Sequence, residues 1–163
     1  VTAPITDYTS YDEIRAALGV SKKEIVDATL GLSIYANFLE MEFEEVDSTV
    51  PALYQATAGL PSPTAAEVRF LSACRLFAVY SVAKHLTGSL PLFAPRQIGD
   101  GKASVQRFDS PYKDTVAAVN QMYDKAKNRL ASALGDIGTS VTSAIPLTFV
   151  SVVTPISDPV TGT

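Results

Sequence analysis

The stretch from Thr64 to Gly88, TAAEVRFLSACRLFAVYSVAKHLTG, leaves no wet face when wound as a helix. Thr64-Ala-Ala-Glu67 is a capping box, in which the threonine hydroxyl accepts from the amide three residues on and the glutamate answers the amide of the cap. Behind it Val68, Phe70, Leu71, Leu76, Phe77, Val79, Tyr80, Val82 and Leu86 surround most of the circumference before Gly88 ends the run. A helix apolar on all sides has to be enclosed by others. The chain is therefore expected to be a helical bundle with residues 64–86 at its centre or covered in part by a neighbouring subunit.

Other segments supply the surrounding helices. Ser10-Tyr-Asp-Glu13 is a second capping box and predicts a short helix to about Leu18, stopped by Gly19. Ser21-Lys-Lys-Glu24 repeats the device and predicts a helix with Ile25, Thr29, Leu32, Ala36, Leu39, Phe43 and Val46 on one stripe. Gly31 and Ser33 predict a break or kink at residues 30–33, because glycine costs about 1 kcal/mol in a helix interior and serine can cap a new helix. Pro51, Gly59, Pro61 and Pro63 mark a connection. Ser110-Pro111 is an N-cap followed by proline at the first helical position. After it Tyr112, Val116, Val119, Tyr123, Ala126, Leu130 and Ala133 form a stripe ending at Gly135.

Residues 89–109 are too long for an ordinary helix linker, and long loops in compact domains are usually functional or disordered. Leu90, Leu92, Phe93, Ile98 and Phe108 argue for order. Gly99-Asp100-Gly101-Lys102 suggests a phosphate loop, but the Walker pattern requires glycine where Arg96 stands and a hydroxyl where Ala103 stands. Asp-Gly favours a tight turn instead, flanked by short strands. Arg96, Lys102 and Arg107 make the loop locally positive, suited to an acidic partner surface or a phosphate backbone, or simply solvated.

From residue 136 the composition shifts to Val, Ile, Thr and Ser, with Asp136 and Asp158 the only charges and Pro146, Pro155 and Pro159 interrupting. Extended chain is favoured there over helix. An isolated strand is marginal in water, so the apolar side chains need another surface, either the chain's own helices or a partner to which they add as an arm. The expected class is thus mainly α, a helical bundle over 1–135 with an inserted irregular or hairpin-like loop at 89–109 and an extended β-type arm over 136–163.

Totals narrow the function. With 163 residues the chain suits one domain, and 47% hydrophobic against 18% charged residues favours a packed core over disorder. A net charge of −4 argues against generic binding to nucleic acid. One cysteine, Cys74, rules out a disulfide framework and a thiolate metal cluster, and it reads as a core residue of a protein in a reducing compartment. The first residues, VTAPITDYTSYDE, lack the basic start and continuous apolar core of a secretory signal, and no stretch approaches the length of a membrane span, so synthesis in the cytosol is expected. His85 is the sole histidine, and no nucleophile elbow accompanies it. Glu40, Glu42, Glu44, Glu45 and Asp47 read as a solvated acidic face rather than a catalytic or metal-binding set. Arg75 sits among Leu71, Leu76 and Val79 and needs a carboxylate or carbonyl, within the subunit or across an interface. No enzyme, cofactor or metal is expected.

The phrases YDEIRAALGVSKKEIVDATL and RLFAVYSVAKHLTGSLPLFAPRQIGDGKASVQRFDSPYKDTV, with the order of helices around them, resemble the head-to-tail adaptor (connector, or head-completion) proteins of tailed bacteriophages. The resemblance covers roughly residues 8–134 and rests on structural rather than catalytic motifs. It implies a structural virion protein, assembled as a ring of copies, commonly twelve, beneath the portal at the neck of the particle. Its partners are then itself, the portal and tail or neck proteins. DNA passes through the channel without sequence-specific binding, no membrane is involved, and assembly takes place in the host cytoplasm. The resemblance loosely assigns partner contacts to the loop, with Leu92, Phe93, Arg96, Lys102, Arg107 and Phe108, and to the arm, with Val141, Ile145, Leu147, Phe149, Val150, Val152 and Val153. The competing expectation is a phage single-strand DNA-binding or replication accessory protein using Tyr112, Lys113, Arg96 and Arg107, against which the overall acidity weighs.

Overall fold

Capping chemistry sets most of the element boundaries. The computed structural model describes residues 3–88, 97–99, 104–106 and 111–143, with side-chain surroundings for 3–88 and 113–138. A 3-10 turn at Ile5–Asp7 precedes α1 (Tyr11–Leu18), α2 (Asp27–Leu30), α3 (Ser33–Val46), α4 (Val50–Ala58) and α5 (Ala65–Thr87). Strands β1 (Gln97–Gly99) and β2 (Ser104–Gln106) and helix α6 (Pro111–Ser143) follow.

Both terminal capping boxes form. Glu13 N donates to Ser10 Oγ at 3.3 Å while Ser10 N donates back to Glu13 Oε2, and Gly19 at φ 69° stops α1 in the left-handed region. Thr64 and Glu67 exchange the same pair of bonds at the start of α5.

The middle box behaves differently. Ser21 spends both its amide and its hydroxyl on Glu24 Oε2, at 2.7 and 2.9 Å, so only a turn forms and the next helix waits until Asp27. Arg15 explains the delay. It is buried, its Nε takes the Ile25 carbonyl at 2.8 Å, and its guanidinium also binds Asp12 and Asp27. The break expected at 30–33 is present, with α2 ending at Leu30 and α3 starting at Ser33. Leu32, not Ser33, is the N-cap of α3, and no side chain caps it. The break resets the phase of the stripe, so Leu30 is buried and Leu32, expected inside, is 52% exposed.

Helix α5 is the centre of the bundle. From Phe77 to Leu86 it buries side chains on nearly every face, against α1, α3, α4 and most extensively α6. Each fully buried side chain of this kind contributes about 1.5–3 kcal/mol. Rings run in contact through the core, Tyr54 to Tyr8 to Phe43 to Phe77 to Tyr123, with centroids 4.6 to 5.6 Å apart. Val68, in the first turn of α5, is exposed rather than part of that core. Cys74 is buried as expected, and burial pushes its thiol up to about 12.

Helix α6 begins at Pro111 and buries Val119, Tyr123, Ala126, Leu130 and Ala133. It does not stop at Gly135. It runs eight residues further, to Ser143, so the boundary placed at 135 and an extended arm starting at 136 are corrected. Tertiary contact accounts for this: Ile137 continues the buried stripe four residues after Ala133, and Asp136 pairs with Arg69 of α5 at 3.5 Å. These contacts offset the helix cost of glycine, about 1 kcal/mol.

β1 and β2 form the hairpin expected around Gly-Asp-Gly, antiparallel with Gln97 opposite Gln106, Ile98 opposite Val105 and Gly99 opposite Ser104. Gly99 lies within β1, and residues 100–103 between the strands lie outside the described residues.

Candidate functional site

The acidic run on α3 is not uniformly solvated. Glu42 is only 7% exposed, three residues after buried Leu39 and next to buried Phe43, on the face of α3 turned to α5 and α6. Tyr123 donates its phenol proton to Glu42 Oε2. Lys84 Nζ and His85 Nε2 reach Glu42 Oε1 at 3.3 and 3.1 Å. Burial pushes the Glu42 carboxyl up, but the bond from Tyr123, the Lys84 cation and the contact with His85 outweigh it and hold the group below the usual carboxylate range. Burial, and then Glu42 itself, push the Tyr123 phenol above its ordinary value. Phe38 stacks on His85 with ring centroids 4.3 Å apart, and Lys84 Nζ lies 3.8 Å from the centre of the Tyr123 ring.

Carboxylate, imidazole, ammonium and phenol therefore converge from three helices. General acid–base chemistry also needs a cavity for a substrate. Neither hollow described below is lined by any of these four residues. What the arrangement does is tie α3 to the α5–α6 pair.

Arg75 resolves within the subunit. Its Nε donates to Glu13 Oε2 at 3.0 Å and its Nη2 to Glu13 Oε1, so the acid that caps α1 also anchors α1 to α5. The bond from Arg75, followed by that from Thr9, takes the Glu13 carboxyl down to about 2 against a smaller opposing effect of burial.

Beside this pair lies an open groove of about 630 Å³ whose walls include Thr6, Asp7, Tyr8, Ser10, Tyr11, Tyr54, Leu71, Ser72 and Arg75. The Tyr54 hydroxyl donates to the Asp7 carbonyl at 2.8 Å and fixes α4 to the 3-10 turn that forms one rim. Tyr8 is 7% exposed and also lines a smaller hollow of about 220 Å³ with Ala36, Leu39, Glu40, Pro51 and Gln55. Burial pushes its phenol up to about 12.

A separate surface is apolar. Ile34 and Met41, 51% and 60% exposed, lie seven residues apart on one side of α3, and Leu32 and Val26 are exposed just before that helix.

Of the residues expected to meet partners, Leu92, Phe93, Arg96, Lys102, Arg107 and Phe108 lie outside the described residues, as do Ile145, Leu147, Phe149, Val150, Val152 and Val153. Val141 stands in α6 and not in an extended segment. The sequence reading missed the burial of Arg15 and Glu42, the Tyr8 groove and the exposed side of α3. Glu42 had a detectable signal, since it lies at helical spacing from Leu39 and Val46 of the apolar stripe.

The described residues hold no group of three or more His, Cys, Asp or Glu arranged to bind a metal ion, and no helix among them is long and apolar enough to cross a membrane. Compared with protein-family models, curated proteins and solved structures, the chain matches none.

Proposed function

We propose that the chain is a subunit of a head-to-tail connector, a structural ring between the portal and tail of a bacteriophage particle. The observation that carries this reading is the apolar side of α3. Ile34 and Met41, together with Leu32 and Val26, stay open to solvent on a subunit whose core is already closed by Phe43, Phe70 and Phe77. Exposed apolar side chains on and just before one helix of an otherwise finished bundle suit contact with another protein.

The polar cluster between α3, α5 and α6 supports the same reading. Lys84, His85, Glu42 and Tyr123 are spent on one another, which suits a rigid building block. Heterologous contacts between copies generate a ring where the rotation between neighbours closes. In this proposal the 89–109 loop and the segment after α6 contact the portal, the tail or a neighbouring copy, and the acidic average charge of the chain lets DNA slide past.

Negative-stain microscopy of the purified chain, alone and mixed with portal protein, tests the proposal. Rings with an axial hole, or coaxial complexes with the portal, are the expected result. A monomer that leaves the portal bare overturns it. Salt-sensitive, saturable binding to short single strands in a filter assay would instead favour a DNA-binding accessory protein.

A further inference from the structure

We infer that the exposed side of α3 in one copy packs against the outer flank of α6 in the next, with Glu44 of the first copy held by Lys125 and Arg129 of the second. The inference rests on the reading that copies of this chain adjoin one another, and it names the two surfaces that meet.

Helical spacing places each surface. Ile34, Asn37, Met41 and Glu44 recur at steps of three and four along α3, so they share one side, and all are exposed. On α6, Lys127 is turned to α3 and pairs with Glu45 at 3.1 Å. Residues two apart on a helix lie about 200° apart around its axis, so Lys125 and Arg129 both stand on the flank opposite Lys127. Ala118, Gln121 and Ser132 share that flank, and they too are exposed. The flank of α6 that carries Lys125 therefore faces away from its own α3, and the two surfaces can meet only between copies.

Their charges are complementary and unspent. α3 carries Glu40, Glu42, Glu44 and Glu45 and no lysine or arginine. Glu42 and Glu45 are bound to Lys84 and Lys127, whereas Glu44 has no ion-pair partner among the described residues. Arg15, Arg69 and Arg75 each hold a carboxylate; Arg129 and Lys125 hold none among the described residues. Like charges four residues apart on a helix repel each other, so a carboxylate placed between Lys125 and Arg129 relieves both.

The spacing matches along the axes. α3 rises about 15 Å from Ile34 to Glu44, and α6 rises about 16.5 Å from Ala118 to Arg129. With the two helices side by side and parallel, Ile34 meets the small side chain of Ala118, Met41 lies on the aliphatic stem of Lys125, and Glu44 falls between the two cationic heads. Met and Arg are also enriched where proteins touch. Pairing α3 with α3 would set acidic groups together, and pairing α6 with α6 would set Lys125 near Arg129. Only the head-to-tail pairing matches the signs, and such a contact is heterologous.

The test uses full-length chains with reversed charges at these exposed positions. One variant carries Glu44→Arg, the other Lys125→Glu with Arg129→Glu, and circular dichroism checks that each keeps the helix content of the parent. Mass is followed by light scattering over a concentration series. Each variant alone sets like charges together at the contact, and its association midpoint is expected to rise about tenfold or more above the parent's. An equimolar mixture of the two is expected to return most of the way, because the reversed side of α3 then meets the reversed flank of α6. A mixture no better than either variant alone overturns the inference, and so does a parent chain that stays monomeric throughout. Variants that associate like the parent also overturn it; if the Lys125→Glu, Arg129→Glu chain then loses binding to a short DNA duplex, the pair belongs to a phosphate backbone instead. Microscopy separates this contact from the ring itself. Rings that form whatever these charges are remove the contact and leave the connector reading; mixtures that recover association but never close into rings, with the portal left bare, do the reverse.

Discussion

Glu42 keeps its charge inside the bundle because three donors from two other helices point at it. Removing one of them should be felt. Tyr123→Phe deletes only the hydroxyl, and the expected loss of stability is about 1–3 kcal/mol by urea unfolding, the cost of leaving a buried acceptor short of a donor. Tyr123→Phe in a Glu42→Gln background should cost clearly less, which a double-mutant cycle measures. Glu13 makes a pH-dependent contribution of definite sign. Its carboxyl sits near 2 when folded against 4.5 for the free group, so the stability it adds is fully present above about 4.5 and is lost as pH falls toward 2. Arg75 is more than half exposed, which limits the effect to about 1 kcal/mol or less after solvent screening. Arg75→Leu should therefore narrow the gap between unfolding free energies at pH 5 and pH 3, and an unchanged gap would remove Arg75 as the cause. Arg15 shows why such positions escape sequence reading. Its partners Ile25 and Asp27 lie ten and twelve residues away and meet it only once the turn after Ser21 has formed.

At the scale of elements, local chemistry was legible wherever a cap or break needs no distant partner. The Ser10 and Thr64 boxes, the Gly19 stop, the Pro111 start and the break at Gly31 all depend on residues within four positions of one another. Gly31 is also held to its size, because a Cβ there would come within 3.2 Å of the Tyr11 hydroxyl and 3.3 Å of the Asp27 carbonyl. Boundaries failed where tertiary contact decides. The Ser21 box yields a turn because Arg15 claims the Ile25 carbonyl, and α6 passes through Gly135 because Asp136 and Ile137 find partners on the bundle. Two glycine substitutions separate these cases. At Gly19 the backbone is left-handed, so Gly19→Ala should lower stability by about 1 kcal/mol. At Gly135 the helix continues and an added Cβ meets nothing within 4 Å, so Gly135→Ala should raise stability by about 0.5–1 kcal/mol. Thermal melts of the two variants should therefore shift in opposite directions. A loss at Gly135 would restore the helix end that composition alone suggests.

For the whole molecule, the helical bundle followed from one argument about residues 64–88, since a mostly apolar helix dictates neighbours whatever their order; the first half of α5 nonetheless keeps an exposed face at Val68, Arg69, Ser72 and Arg75, and only its second half is enclosed on nearly every side. The candidate site did not follow from it, because exposure on α3 depends on the phase set by the break at Gly31 and the groove depends on four elements meeting around Tyr8. The α3 side carries the proposed assembly, and it can be tested without disturbing the fold. Ile34 and Met41 are more than half exposed in the single chain, so the double variant Ile34→Ser, Met41→Ser should leave its unfolding free energy within about 0.5 kcal/mol of the parent. If copies bury both side chains against each other, losing them removes about 1.5–3 kcal/mol per side chain fully buried at the contact. That weakens association more than tenfold and moves the midpoint of the concentration-dependent rise in mass, followed by light scattering, upward by the same factor. Association unchanged in the variant would show that this side of α3 faces solvent in the assembly, and the contacts between copies would have to be sought elsewhere on the chain.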